Sequence, residues 1–310
     1  MDASVTELRF VPQTQNALFS GAVIAFQVIG AFLVPVLWAW SGWAFAAYLL
    51  AYGYATIICW LLIHEAVHYK LLIDRKANDR LGRVNAIFFG CPFHILKIGH
   101  MTHHRYNRSN LDTTEFMPSD TKSYALWWLA YYARILGGLY VTEVVSPLVF
   151  FFWKRFKHIV VAWTKDRAVA AILDLFTRRM VQAIQFDAML CVAWLALQVW
   201  LNWSALAPLV VLLLWRGFIV SFYDNAYHYG TDPHDPAAAN NLAVPRFVKR
   251  LILNHNLHRV HHRYPLASWA LLTEYEKRDA ETYDGNLVLT ALRQLQGPMR
   301  RPEGGAGLRT

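Results

Sequence analysis

The sequence is short of charge and nearly empty of cysteine. Only 16% of its 310 residues are Asp, Glu, Lys or Arg, against 56% hydrophobic, and mean hydropathy is +0.24. Soluble globular chains carry about 25% charged residues, so a water-soluble monomer is excluded. Cys59, Cys91 and Cys191 are odd in number and far apart, which excludes a disulfide scaffold. They are expected as free thiols in apolar surroundings. There is no Rossmann glycine fingerprint, no Cys-x-x-Cys pair and no internal repeat. The opening segment, with Asp2 and Glu7, lacks the basic region of a cleaved signal, so the first apolar segment is expected to stay in the mature chain.

What the chain does have is long apolar runs. Phe10 to Ile63 is 54 consecutive residues without Asp, Glu, Lys or Arg. A bilayer core of about 30 Å is crossed by about 20 helical residues, so this run holds two spans, 17–40, with a bend expected at Pro35, and 43–64. Only Ser41 and Gly42 lie between them, which makes a helical hairpin. A second hairpin is expected at 183–203 and 205–224. Both tips are free of charge and rich in Trp, as suits headgroup depth. Asp187 and Arg216 interrupt the second hairpin and are expected to snorkel from its open ends. The expected fold is all-α: one multi-pass membrane domain over 1–310, with two transmembrane hairpins and a cytoplasmic cap at 225–310 ending in a frayed Gly/Arg-rich tail.

Of the 30 Lys and Arg residues, 29 fall outside the hairpins. By the positive-inside rule those segments are cytoplasmic, as are both termini, and a bacterial inner membrane is the expected location. Topology and anionic headgroups account for the net charge of +9, so no nucleic-acid partner is needed. A third apolar stretch, Tyr124 to Trp153, is interrupted by Arg134, Glu143, Gly137-Gly138 and Pro147. A single crossing there would place the histidines before and after it on opposite sides of the membrane. It is therefore expected to be interfacial or re-entrant, like the amphipathic run Lys154 to Met180.

Nine of the 13 histidines stand in three clusters, all in segments assigned to one membrane face. His64 and His68 are spaced i, i+4, which on a helix puts two imidazoles on one face. His100, His103 and His104 follow as i, i+3, i+4, and His258, His261 and His262 repeat that spacing, with His255 one turn back. Neutral imidazole suits Fe, Zn, Cu and Ni. Isolated His94, His158 and His234 are expected to be ordinary. His64-Glu65-Ala66-Val67-His68 also matches the H-E-x-x-H pattern of zinc proteases, but that reading leaves two His-x-x-His-His boxes unexplained. Eight or more imidazoles at one surface exceed what one tetrahedral ion takes, and suit two metals.

The boxes H-x3-H, H-x2-H-H and H-x2-H-H, in that order around helical hairpins, resemble the membrane fatty acid desaturase and hydroxylase superfamily. The likeness runs from the first span to Trp269, and Asn254-His255-Asn256-Leu257-His258-Arg259-Val260-His261-His262-Arg263-Tyr264-Pro265 is similar to its third box. The resemblance implies a di-iron site ligated by His64, His68, His100, His103, His104, His228, His258, His261 and His262. It also implies O2 as co-substrate, a lipid or fatty acyl substrate, and a separate electron donor such as ferredoxin, rubredoxin or cytochrome b5. Acyl-CoA desaturases carry an Asn four residues before the His that His228 matches. Here that position is Asp224, open to binding iron, tuning it, or pairing with Arg216. His255 and Glu65 are further possible ligands or supports of ligands. The expected activity is oxygen-dependent fatty acyl desaturation. Hydroxylation, carotenoid ketolation, acetylenic bond formation and decarboxylation to an alkene remain open on the same scaffold. A metal transporter or haem protein would place its ligands near mid-bilayer.

Overall fold

The computed structural model describes residues 10–109, 112, 114–117, 123–164 and 167–300, and its framework is helical. The charge-free N-terminal run forms α1 (Gln13–Trp40) and α2 (Gly42–Val67), with α1 continuing through Pro35. Ser41, in extended backbone, is the whole turn, and its hydroxyl accepts the Trp43 N–H at 3.2 Å. The second hairpin is α10 (Arg178–Leu201) and α11 (Leu206–Ala226). These four helices match the expected spans to within a turn or so, and all four are long and apolar enough to cross a membrane.

A fifth stretch, Tyr124–Phe150, meets the same criterion of length and composition. It is not one rod. It consists of α5 (Tyr124–Ala133), a π-helical turn at Arg134–Gly138, α6 (Leu139–Val145) and α7 (Pro147–Phe150). Gly137 adopts φ 140°, a conformation available to glycine, and lies against the backbone of Gly217 midway along α11. The Tyr131 and Tyr132 hydroxyls donate to the carbonyls of Gln294 and Leu295. Beyond the bend, the Tyr140 N–H donates to Ser221 Oγ, and the Phe150 carbonyl accepts from Gln185 near the start of α10.

Between the hairpins, α3 (Arg75–Phe89) is capped by Asp74, which accepts the Ala77 N–H at 2.8 Å, and ends at left-handed Gly90. α4 (Phe93–Tyr106) follows directly. The amphipathic run forms α8 (Trp153–Thr164) and α9 (Arg167–Asp174), tied by Lys157 and Asp174 at 2.5 Å. After α11, the described residues hold four short α-helices, α12 (Arg246–Leu251), α13 (His258–Arg263), α14 (Leu272–Arg278) and α15 (Leu287–Arg293). Two parallel two-residue pairs stitch this region: β1 (Phe116–Met117) to β4 (Met299–Arg300), and β2 (Leu242–Ala243) to β3 (Gly285–Asn286). The main core lies where the end of α2 meets α3 and α4, around Leu62, Ile63, Ala66, Phe89 and Phe93. The opening segment with Asp2, Glu7 and Arg9, and the tail after residue 300, lie outside the described residues.

The two charged residues of the second hairpin do not snorkel. Asp187 is fully buried and paired with Arg83 of α3, 2.5 Å from its Nη2. Arg216 is 3% exposed. Its guanidinium donates to the carbonyls of Phe88 and Phe89 and to Gln27 Oε1. Those two carbonyls end α3, and the Phe89 carbonyl also accepts from the Tyr140 hydroxyl, so Arg216 helps to cap a neighbouring helix.

Candidate metal centre

Each box is held by contacts distant in sequence. His64 lies in the last turn of α2 and His68 at its C-cap. The turn beyond is fixed by Asn78, whose amide donates to the Ala66 carbonyl and whose oxygen accepts from Leu71 and Leu72. Asn16 of α1 donates to the carbonyls of Lys70 and Leu71, and its own oxygen accepts from the Trp269 indole. The second box occupies the end of α4. In the third, α13 begins only at His258. The preceding chain turns through left-handed Leu253 and Asn254, so His255 is not one helical turn back. Asn241 Oδ1 accepts the first free N–H groups of α13, from Arg259 and Val260, and Arg259 is bound by Glu281 and Asp284.

These supports bring nine imidazoles into two groups. His64, His68, His100, His104 and His261 form one; His103, His228, His258 and His262 form the other. Within each, one ligand nitrogen per residue lies within 4.8 Å of all the rest. Adjacent Nε2 atoms are closer: His68 to His100 at 2.9 Å, His100 to His104 and His104 to His261 both at 3.0 Å. In the second group His228 is 3.1 Å from His258, and His103 is 3.2 Å from His262. His94, His158 and His234 join neither group.

The donor chemistry fits a metal. A neutral Nε2 carries either a proton or a lone pair, so at most two of the three contacts in the run His68, His100, His104, His261 can be hydrogen bonds. His64 Nε2 is buried with no partner. An ion accepts all five lone pairs together. Ligands about 2.1 Å from a shared ion are about 3.0 Å apart at right angles and about 3.4 Å apart in a tetrahedron. The observed spacings of 2.9 to 3.2 Å suit the more crowded arrangement.

Burial keeps these rings neutral. It pushes His68 down to about 3 and His104 to about 2. His100, His228, His258, His261 and His262 are also held well below the ordinary value by burial, reinforced by neighbouring imidazoles. His103 is the exception. Burial pulls it down, but the Asp112 carboxylate, 2.6 Å from its Nδ1, more than offsets this and raises it. A carboxylate behind a metal-ligating His fixes the ring and raises its basicity.

The remaining expected residues take supporting places. Glu65 Oε1 lies 4.0 Å from His64 Nδ1 and Oε2 accepts the Trp269 N–H at 3.2 Å, so the carboxylate stands behind the His64 ring. His255 is outside both groups. Its ring packs 4.6 Å from that of His258, and its Nδ1 is 3.3 Å from the Tyr223 hydroxyl. Asp224 is also in neither group. Its Oδ1 accepts the Trp60 indole N–H at 3.1 Å, and it forms no ion pair with Arg216, which is turned towards the end of α3.

Sequence reading missed Asp112, and it missed Asn107, whose amide donates to the carbonyls of Pro236 and Ala238 and packs 3.4 Å from His262 Nδ1. A carboxylate nine residues after His103 was the available signal for Asp112. Beside the second group lies a chamber of about 400 Å³, lined by His100, His103, His228 and His258 together with Trp60, Glu143 and Asp224.

Long apolar helices and two histidine groups, each of which could hold a metal ion, are the features of an integral membrane protein with two candidate metal sites. The sequence model for fatty acid desaturases matches residues 38–291. The chain belongs to the fatty acid desaturase family. No curated protein and no solved structure matches it.

Proposed function

We propose that this protein is an oxygen-dependent membrane fatty acyl desaturase whose nine histidines hold two irons. The observation that carries the reading is the division of the histidines into groups of five and four beside a chamber that shares wall residues with an apolar groove. Iron bound there supplies reduction of O2 and removal of hydrogen from an unactivated C–H bond, which acid/base side chains cannot do. The protein's part is to present neutral imidazoles, to fix the His103 ring through Asp112, to keep Glu65 behind His64, and to hold a lipid chain beside them. Electrons come from a separate carrier such as ferredoxin, rubredoxin or cytochrome b5.

The same reading gives four spans with both termini cytoplasmic. His103 faces His262 although Tyr124–Phe150, α10 and α11 intervene in sequence. Three single crossings would separate the two rings by the membrane, so the bent stretch is taken as re-entrant. The excess of basic residues at the shared face supports a cytoplasmic placement, and a bacterial inner membrane suits this arrangement. The protease reading loses support because Glu65 is engaged by Trp269 and three further histidines join His64 and His68.

The test is mass spectrometry of lipids and hydrocarbons from cells expressing the protein or His261→Ala. New double bonds that require O2, a reductant and His261 are expected. Hydroxylated or alkene products would reassign the outcome on the same site. Stoichiometric zinc with peptide hydrolysis lost in Glu65→Gln would replace the reading altogether.

A further inference from the structure

His228 differs from the other eight grouped histidines in what aims it. They stand in closely spaced boxes, whereas His228 follows the last residue of α11, Ala226, and lies 30 positions before its neighbour His258. Helical spacing does not register it against them, so the segment that carries it has to be fixed by other contacts.

Two adjacent residues just beyond the second box grip that segment. Asn107 donates to the carbonyls of Pro236 and Ala238. The Arg108 guanidinium donates to the carbonyl of His228 itself at 3.4 Å and to that of Thr231 at 3.3 Å. The His228 carbonyl also accepts from the N–H and the hydroxyl of Thr231, so Arg108 closes on a turn already formed there. Arg108 holds left-handed backbone, φ 67°, which residues other than glycine rarely adopt. On its far side it is bonded to Glu115, whose carbonyl accepts the Met299 N–H at 2.7 Å where β1 meets β4.

Arg108 is 3% exposed and Glu115 is fully buried. Taking both charges out of water is costly, and an apolar pair of similar volume is often as stable, so stability alone does not account for them. What an apolar pair lacks is donors. A guanidinium is a rigid fork of N–H groups that serves several acceptors together, and Glu115 holds one arm of it while the others reach the His228 segment.

We propose that Arg108, held by Glu115, is the positioning residue that keeps His228 in the four-histidine group, by pinning its backbone to the end of the second box. The role rests on the two-metal function proposed above, and it gives the one grouped histidine outside the boxes its support. Asp112 acts on a ring, whereas Arg108 acts on a main chain. Since His228 belongs to the four-histidine group alone, losing Arg108 should be felt at that group and not at the other.

The test is a cobalt(II) titration of the full, metal-free chain in lipid nanodiscs, followed by the visible absorption of bound cobalt, with amide hydrogen exchange measured on the same samples before metal is added. The native chain should take one cobalt per histidine group. Arg108→Met should weaken one cobalt about 10–100-fold, leave the spectrum and affinity of the other unchanged, and speed exchange in the peptide covering 228–238 but not in peptides of the first box. Arg108→Lys keeps a charge for Glu115 but not the fork, and should fall between. Lys157→Met, in the exposed pair with Asp174, should behave as native. Should Arg108→Met fail to insert, the double variant Arg108→Met, Glu115→Leu removes both buried charges and should insert yet lose the same cobalt. Native binding of both cobalts in that double variant would show that the pair only fills space, and would overturn the proposal. Native exchange at 228–238 in inserted Arg108→Met would overturn it as well. A native chain that takes a single cobalt would remove the two-metal function, and exchange at 228–238 would then decide the role of Arg108 alone.

Discussion

The two histidine groups face different surroundings. Of the five-histidine group, only His100 lines the inner chamber; of the four-histidine group, His103, His228 and His258 do. Behind the first group, a space of about 10 Å³ between His64, Glu65, His261 and Trp269 is at the threshold for a single water. Beside the second there is room for a substrate. The difference separates two tasks. Five imidazoles in packed surroundings would leave a bound ion little access to an outside molecule, whereas four beside a chamber would leave it room to meet one.

The sharpest way to break this comparison is to remove one ligand from each group. His228→Ala leaves three imidazoles on the open side and should abolish turnover, by more than about 100-fold, because even residues supporting a ligand are worth about 10–100-fold. His64→Ala leaves four on the packed side and should retain more metal. Metal per chain and oxygen-dependent lipid turnover are the readouts. His234→Ala, in neither group, should keep activity. Equal losses from His228→Ala and His64→Ala would mean that the groups are not specialised.

A smaller effect is expected one bond away. Asp112 supports His103, a member of the open group, and no residue of the packed group contacts it among the described hydrogen bonds. Asp112→Asn should weaken metal binding about 10–100-fold at one of two sites. A titration should then resolve one weakened class of metal and one unchanged. Uniform weakening would show that the groups act as one cluster.

Eight of the nine grouped histidines are the part of the candidate site most legible in sequence, because helical spacing forces residues i, i+3 and i+4 onto one face whatever surrounds them, whereas His228 is reached only through the family resemblance. The supports are not encoded by spacing. Asn78, Asn107 and Asn241 act through contacts that span 6 to 155 positions, and no spacing rule marks them. Arg216 shows the same limit in the membrane. Its position in an apolar helix suggests an escape to the surface, and only the neighbouring end of α3 reveals why it stays buried. The bend in Tyr124–Phe150 is partly legible, since Gly137-Gly138 and Pro147 interrupt the run. The partner that makes the bend stable, Gly217, lies eighty positions away.

The smallest expected effect concerns Asp224, where the family resemblance leads one to expect Asn. Its Oδ1 accepts the Trp60 indole N–H at 3.1 Å. An asparagine has the same shape and keeps an acceptor oxygen, so that bond survives in Asp224→Asn with only its charge assistance lost. A neutral hydrogen bond of this kind contributes about 1 kcal/mol, and weakening it should change turnover by no more than about threefold. Trp60→Phe is the stricter companion, since it removes the donor and leaves a buried carboxyl oxygen without that partner. Metal content should hold in Asp224→Asn, because Asp224 is in neither histidine group. Loss of one metal per chain in that variant would make Asp224 a fifth ligand on the open side. Both groups would then have five ligands, and the contrast between a packed site and an open one would no longer explain where substrate binds.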